Sequence, residues 1–336
     1  MRSSNARRAA GVAAVAALLQ LVMIIAFAWP AARTAPRDVP VLVAGPQAAA
    51  VAERLDREAP GAFDVRTLRD EAAAREALAG REAYGAIVTG PAGPKVLTAS
   101  AASPVVAQRL GAMARLLAAD APPPGPPGPS SPSAPPVEDV VAADPGDPRG
   151  AGFGALALPL VMSGLAAAVL LTFAVPAAAW RAAGVLLFAA LGGLGVAAVA
   201  QGWLSLLPGS YFAVAGAMSL AILAVTGTVA GLTAALGRPG LGAGALTMLL
   251  LGNPLSAATS APEMLPQPWG DLGQLLPPGA AATLLRSVAF FDGAGAAGPL
   301  AVLGAWAAAG FALLAAGALR GRTGSAPVRD REPVPA

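Results

Sequence analysis

The sequence predicts a membrane all-α bundle of six transmembrane helices with an inserted small extracytoplasmic α/β domain. Of the 336 residues, 56% are hydrophobic and only 12% are charged, about half the charge of a soluble globular protein. Apolar runs long enough to cross a hydrocarbon core of about 30 Å, at about 1.5 Å per helical residue, recur along the chain. Most of the charge is gathered in a single block after the first of these runs.

Residues 1–32 comprise a short cytoplasmic stub and the first span, whose apolar run, 9–29, follows Arg2, Arg7 and Arg8. A cleaved signal peptide is the rival reading, with small residues at 31–35 near a cut. The run is longer than a signal core, which favours a retained anchor. No charge occurs from Phe153 to Ala179, nor from Ala182 to Leu236. The second stretch is too long for one helix, and Pro208-Gly209-Ser210 divides it into spans at 182–207 and 211–236. Two more spans are expected at 241–258 and 299–319, completing the membrane domain of 151–320.

Orientation follows from basic residues flanking the spans, which favour the cytoplasmic side. With the N-terminus inside, Arg2, Arg7, Arg8, Arg181, Arg238, Arg320 and Arg322 all fall in the cytoplasm, while the Pro208 turn outside is uncharged. Both termini are therefore expected to be cytoplasmic.

Residues 33–120 read as the extracytoplasmic α/β domain. Strands are expected at 39–44, 63–67, 84–88 and 96–99, alternating with helices at 47–58 and 70–78. A last helix at 104–119 carries Val106, Leu110, Met113 and Leu117 on one face. The proline-rich segment 121–150 reads as an extended spacer that tethers the domain, and the tail 321–336 as disordered.

The absence of Cys and His removes disulfides, thiolate or imidazole metal sites and every His-dependent catalytic dyad or triad. No phosphate-loop motif occurs and Lys95, the single lysine, lies in Gly-Pro-Lys-Val, so any ATP would be spent by a partner. No cofactor is expected and no enzyme activity. The scattered arginines form no nucleic-acid patch. Within the expected spans there is no Asp, Glu, Lys or Arg, which argues against ion-coupled carriage. Gln20, Gln201 and Asn253 are polar exceptions of the kind that bond between helices. Gly192, Gly193, Gly195, Gly240, Gly242 and Gly244 mark close helix packing.

The loop 259–297 is too apolar for a free external loop and too broken by proline for a span. It reads as a re-entrant plug or lid, tolerated at membrane depth where protein or a water-filled cavity surrounds it. Asn253, Glu263, Asp271, Arg286 and Asp292 are its candidate gate residues, with Arg286 expected to pair with a carboxylate. Trp203, Trp269 and Tyr211 fit an outer aromatic belt.

Val39-Pro40-Val41-Leu42-Val43 after the first span, and Tyr84-Gly85-Ala86-Ile87-Val88, resemble strands of the type-2 ABC-transporter permeases, in particular the branch related to the phage-infection-protein (Pip) family. Gly252-Asn253-Pro254-Leu255-Ser256, Pro262-Glu263-Met264-Leu265-Pro266, Leu275-Leu276-Pro277-Pro278-Gly279-Ala280 and Phe290-Phe291-Asp292-Gly293 resemble the end of that family's fifth span and its external re-entrant loop. The resemblance implies a permease subunit of a bacterial plasma membrane, working as a homodimer with a separate cytoplasmic ATPase to export an amphipathic, lipidic or surface-directed cargo. Two features depart from it: the inside loops shrink to Trp180-Arg181 and Gly237-Arg238-Pro239-Gly240, leaving an ATPase little to grip, and the expected N-terminal cytoplasmic segment is under ten residues. The alternative is a non-transporting membrane scaffold or surface receptor that binds a protein through its extracytoplasmic domain.

Overall fold

A computed structural model describes residues 2–91, 93–119 and 136–323; the first half of the proline-rich spacer, 121–135, and all but the first residues of the tail lie outside these. In chain order the described elements are α1 (Arg2–Ala32), β1 (Val39–Ala44), α2 (Ala48–Glu58), β2 (Phe63–Leu68), α3 (Glu71–Ala79), β3 (Gly85–Val88), β4 (Lys95–Thr98), α4 (Pro104–Ala119) and β5 (Val137–Asp139). There follow α5 (Ala151–Ala155), α6 (Ala157–Ala174), α7 (Ala178–Ala197), α8 (Tyr211–Leu236), α9 (Arg238–Leu246), α10 (Trp269–Gln274), α11 (Pro277–Phe290) and α12 (Ala297–Thr323).

Five helical stretches among the described residues are long and apolar enough to cross a membrane: Asn5–Ala32, Ala151–Ala174, Ala178–Trp203, Tyr211–Leu236 and Ala297–Arg320. The chain is a multi-pass membrane protein. α8 is the central post, with 67% of its most apolar window buried against 22% for α6, α7 and α12 and none for α1. Its partners approach at glycines: a Cβ on Gly310 would lie 2.4 Å from the Gly227 carbonyl carbon, and one on Gly193 would lie 2.6 Å from the Ala215 carbonyl oxygen. Only a residue without Cβ lets these backbones meet. Gly231 meets Gly310 and Ala234 meets Gly317, so α12 runs parallel to α8. Gly244 faces Val229 and Gly240 faces Leu232, so α9 runs antiparallel to it.

The expected span at 241–258 does not reach crossing length as one helix. The nine-residue α9 continues into a six-residue π-helical segment, Thr247–Gly252, and together they rise only about 22 Å at about 1.5 Å per residue. Pro254 has no N–H with which to extend the ladder. The break after α6 also falls earlier than expected, at Val175, Pro176 and Ala177. Proline disfavours the helical conformation in the residue before it, and Val175 is extended (φ −120°, ψ 97°). Trp180 and Arg181 therefore belong to the first turn of α7, where the Arg181 guanidinium folds back to donate to the Val175 carbonyl at 3.1 Å.

The α/β domain is a five-stranded mixed sheet in the order β2-β1-β3-β4-β5. β1 lies parallel to β2 and β3, β3 antiparallel to β4, and β4 parallel to β5. Interior β1 and β3 are almost wholly buried, whereas edge strand β2 has no buried residue. That contrast matches their apolar runs against the polar alternation of Phe63-Asp64-Val65-Arg66. Leu42 and Ala44 pack under α3, while Val41 and Val43 pack on the opposite face with Leu55 of α2 and Val106 and Leu110 of α4. Asp70 caps α3 by accepting from the Ala73 N–H at 2.9 Å.

Two expectations about the tether are corrected here. The chain beyond the proline-rich segment returns to the sheet as β5, so the domain extends past residue 120. The domain is also docked onto the membrane bundle, because the loop between α9 and α12 supplies core residues to both faces of the sheet. Phe291 enters the α3 side, and Ala261 and Met264 enter the α2/α4 side.

Candidate functional site

The loop 253–296 is folded tightly on itself. A Cβ on Gly273 would lie 1.9 Å from the Leu255 carbonyl oxygen, and one on Gly279 would lie 2.2 Å from that of Gly273. Pro277 opens α11 at the position where a missing N–H costs nothing. With 14 residues, α11 spans about 21 Å, too little to cross a bilayer. Its buried face, including Leu284 and Leu285, packs against α8 and α12. Polar groups in the loop are satisfied internally: Thr283 Oγ1 donates to Gln274 Oε1 at 2.6 Å, and Trp306 Nε1 of α12 donates to the Leu275 carbonyl at 2.8 Å.

A polar seam joins this loop to the α/β domain. Arg37 N–H donates to the Glu263 carbonyl at 3.0 Å, and Ala35 N–H to the Met264 carbonyl at 3.0 Å. Tyr84 donates its hydroxyl to Glu263 Oε2 at 2.8 Å. Burial pushes the Tyr84 phenol pKa upward, and the adjacent Glu263 charge adds to the rise. Arg81, in a left-handed conformation (φ 59°), donates to the Thr283 carbonyl at 2.8 Å and to Ser287 Oγ, and its guanidinium lies 5.7 Å from the Phe291 ring centroid.

Arg286, on the same turn of α11, is 5% exposed. It donates from Nη2 to the Ala258 carbonyl at 2.6 Å, and its guanidinium sits 4.7 Å from the Phe153 ring centroid. The acceptor is held by a strained turn: Ala257 has φ 52°, rare for a residue with a Cβ. Ser256 Oγ clamps that turn by donating to the Asn253 carbonyl at 2.7 Å and accepting from the Ala258 N–H at 3.3 Å. The expected ion pair of Arg286 does not form: among the described residues no carboxylate lies within salt-bridge distance of it.

Three clefts converge here. A narrow apolar slot, with about 30 Å³ of open space, lies between α5 and α6, α8 and α11, lined by residues such as Leu160, Ile222 and Leu285. A second, smaller cleft of about 20 Å³ is lined by Arg286, Asp147 and Ser100; Phe153 walls both. A third, about 390 Å³, opens beside α1 between Phe27, Thr34 and Asn253, and shares Ala157 and Ala258 with the slot.

Of the candidate gate residues, Asn253 thus lines the lateral cleft, Arg286 the middle one, and Glu263 lies in the seam. Asp271 and Asp292 are exposed and are not brought to the clefts. Sequence reasoning missed Arg81, Tyr84 and Phe153 as parts of this site. Arg81 reads as a solvent turn after α3, and only its contact with a segment some 200 residues later makes it internal. Phe153 stands in an uncharged apolar run like any lipid-facing residue. Trp269 lies edge-on to Trp29, with centroids 6.2 Å apart, whereas Trp203 is largely exposed.

Compared with known proteins, the chain matches no family model, no curated protein and no solved structure.

Proposed function

We propose that this protein is a permease-like membrane subunit, of the type-2 ABC kind, that moves an amphipathic or lipidic cargo with energy from a separate cytoplasmic ATPase. The observation that supports the reading is the lateral cleft of about 390 Å³ beside α1, bordered by the non-spanning loop and adjoining the narrow apolar slot beneath α11. A cleft of this size with mainly apolar walls and few polar groups suits such a ligand.

The topology of this reading places both termini in the cytoplasm of a bacterial cell. Gly209 lies against the Ala289 carbonyl, so the α7–α8 turn, the loop 253–296 and the α/β domain share one side. Because α12 runs parallel to α8, the intervening chain must regain that side, and α9 with its π-helical continuation makes a short sixth pass. Arg7, Arg8, Arg181, Arg238 and Arg320 then collect on the opposite side, as cytoplasmic arginines do. The pair of subunits typical of such permeases forms the working unit.

The test is a pull-down of the tagged chain from native membranes in mild detergent, with an ATPase assay of what co-elutes. A stoichiometric ATPase stimulated by this chain is the expected result. Recovery of only surface proteins or copies of the chain itself would instead support the second reading, a membrane scaffold or receptor acting through its α/β domain. That reading is favoured by the cytoplasmic connections: Val175, Pro176 and Ala177 in one, and Gly237 alone in the other.

A further inference from the structure

From the uncharged lining of the lateral cleft, and three polar side chains in it that find no partner, we infer that the cleft takes an uncharged glycerolipid: a diacylglycerol, with one free hydroxyl and two ester carbonyls. This occupant rests on the amphipathic-cargo reading above and names the chemical class of its cargo.

The cleft offers about 390 Å³ between the end of α1, the start of α6 and the turn 253–260, room for a glycerol backbone with its ester groups. Among the described residues that line it, none is Asp, Glu, Lys or Arg. Two neighbouring cations are turned elsewhere. Arg37 donates to the Ala35, Met264 and Arg33 carbonyls, and Arg286 donates to the Ala258 carbonyl with its guanidinium against the Phe153 ring. A phosphate in the cleft would lose its water without gaining a cation, and a choline would find no carboxylate.

The polar groups of the cleft suit a hydroxyl and an ester instead. Among the described residues, the Asn253 amide and the Thr259 and Ser260 hydroxyls, all in the lining, make no hydrogen bond to the protein. One preformed turn carries all three. Ser256 Oγ donates to the Asn253 carbonyl at 2.7 Å and Ser260 N–H to the Ala257 carbonyl at 3.0 Å, which fixes the backbone that bears them. An amide and two hydroxyls both donate and accept, so the lipid hydroxyl and its ester carbonyls each have a counterpart. On the apolar side, Phe27 of α1 and Leu158 of α6 line the cleft and are exposed on the surface that faces the bilayer, a way out for the acyl chains. Trp29, two residues beyond Phe27 and edge-on to Trp269, sets this depth at the level where head groups begin.

The test uses the full chain in phosphatidylcholine nanodiscs. Each arm contains a trace of one probe with a diazirine at the ester end of an acyl chain: diacylglycerol, or the phosphatidic acid or phosphatidylcholine with the same chains. After irradiation, adducts are mapped by mass spectrometry to residues 27–34 and 253–260. Diacylglycerol is expected to label these segments about tenfold more than either phospholipid, the preference that one or two net hydrogen bonds supply. Asn253→Leu/Ser260→Ala keeps the backbone of the turn and should reduce the preference to about onefold. Equal labelling by the three probes, stronger labelling by phosphatidic acid, no labelling of these segments, or an unchanged preference in the double variant would each overturn the assignment. Should the double variant fail to fold, Ala31→Trp fills the cleft from an exposed position on α1, and persistence of the adducts at 253–260 in that variant would overturn it equally. Labelling needs no ATPase, so recovery of a stimulated ATPase without diacylglycerol labelling would leave the permease reading standing and remove only this cargo.

Discussion

Tyr84, at the foot of a strand in the α/β domain, donates a 2.8 Å hydrogen bond to Glu263 in the loop between α9 and α12, 179 residues away. That bond ties the α/β domain to the loop that roofs the slot. Beside it, Met264 and Phe291 from the same loop enter opposite faces of the sheet, so any movement of the loop is felt by both.

Removing the Tyr84 hydroxyl leaves a half-buried carboxylate without its donor. Tyr84→Phe is expected to destabilise the docked arrangement by about 1.5–3 kcal/mol, read as a lower thermal midpoint and faster amide exchange at Glu263 and Met264. In Tyr84→Phe/Glu263→Gln the two losses should be sub-additive, since one interaction is removed twice. Full additivity would show that the bond does not couple domain and loop.

Met264 is fully buried and Phe291 nearly so, and both fill space that neighbouring strands cannot collapse into. Met264→Ala and Phe291→Ala are each expected to cost about 2–5 kcal/mol. Exchange should rise on the α2/α4 face in the first variant and on the α3 face in the second. A response confined to the loop in both would refute the shared core.

The seam between α8 and α12 offers a steric test. Gly310→Ala places a methyl group 2.4 Å from the Gly227 carbonyl carbon, whereas Gly195 of α7 has nothing within 4 Å of its added Cβ. Gly310→Ala should force the helices apart and lower the melting temperature in detergent. Gly195→Ala should be neutral or stabilising by up to about 1 kcal/mol. Equal behaviour of the two would mean that the helices do not meet at Gly310.

Strand β5 is held by a ring of alternating charges: Arg75 pairs with Glu71 and Glu138 at 2.7 and 2.6 Å, and Lys95 with the same two at 2.9 and 2.6 Å. The Arg75 guanidinium, followed by the Lys95 ammonium, pulls the Glu138 carboxyl down to about 2 from its ordinary 4.5. A depressed carboxylate contributes stability above its unfolded pKa and loses it as pH falls through the folded one. Exchange protection at 137–139 should therefore fade as pH falls from 4.5 toward 2. Glu138→Gln should remove that pH dependence and make the strand salt-insensitive. An unaltered profile in the variant would show that the ring does not retain β5.

Much of this architecture was legible in the chain because its causes are local. The uncharged runs at 153–179 and 182–236 mark helices for lipid, and apolar Val39-Pro40-Val41-Leu42-Val43 marks a buried strand, since periodicity and hydropathy act over one or two turns. The short strand Val137–Asp139 was not legible. Three residues with one apolar side chain carry no period, and only pairing with β4 makes them a strand. The fifth expected span illustrates a related limit: hydropathy counts apolar residues but does not register where Pro254 stops the helix.

The sequence by itself determined that the chain belongs in a membrane, which segments are helical, where the α/β unit lies and that 259–297 is neither a free loop nor a span. The tertiary structure alone decided that Arg286 would face a carbonyl and the Phe153 ring instead of a carboxylate, that Arg81 would become internal, and that slot and cleft would meet at Phe153. Transfer free energy and backbone propensity are sums over neighbouring residues, and a sequence displays its neighbours. The environment of a buried charge depends on which distant surfaces close around it, here Ala258, Phe153 and the sheet, and that is set only when the whole chain packs.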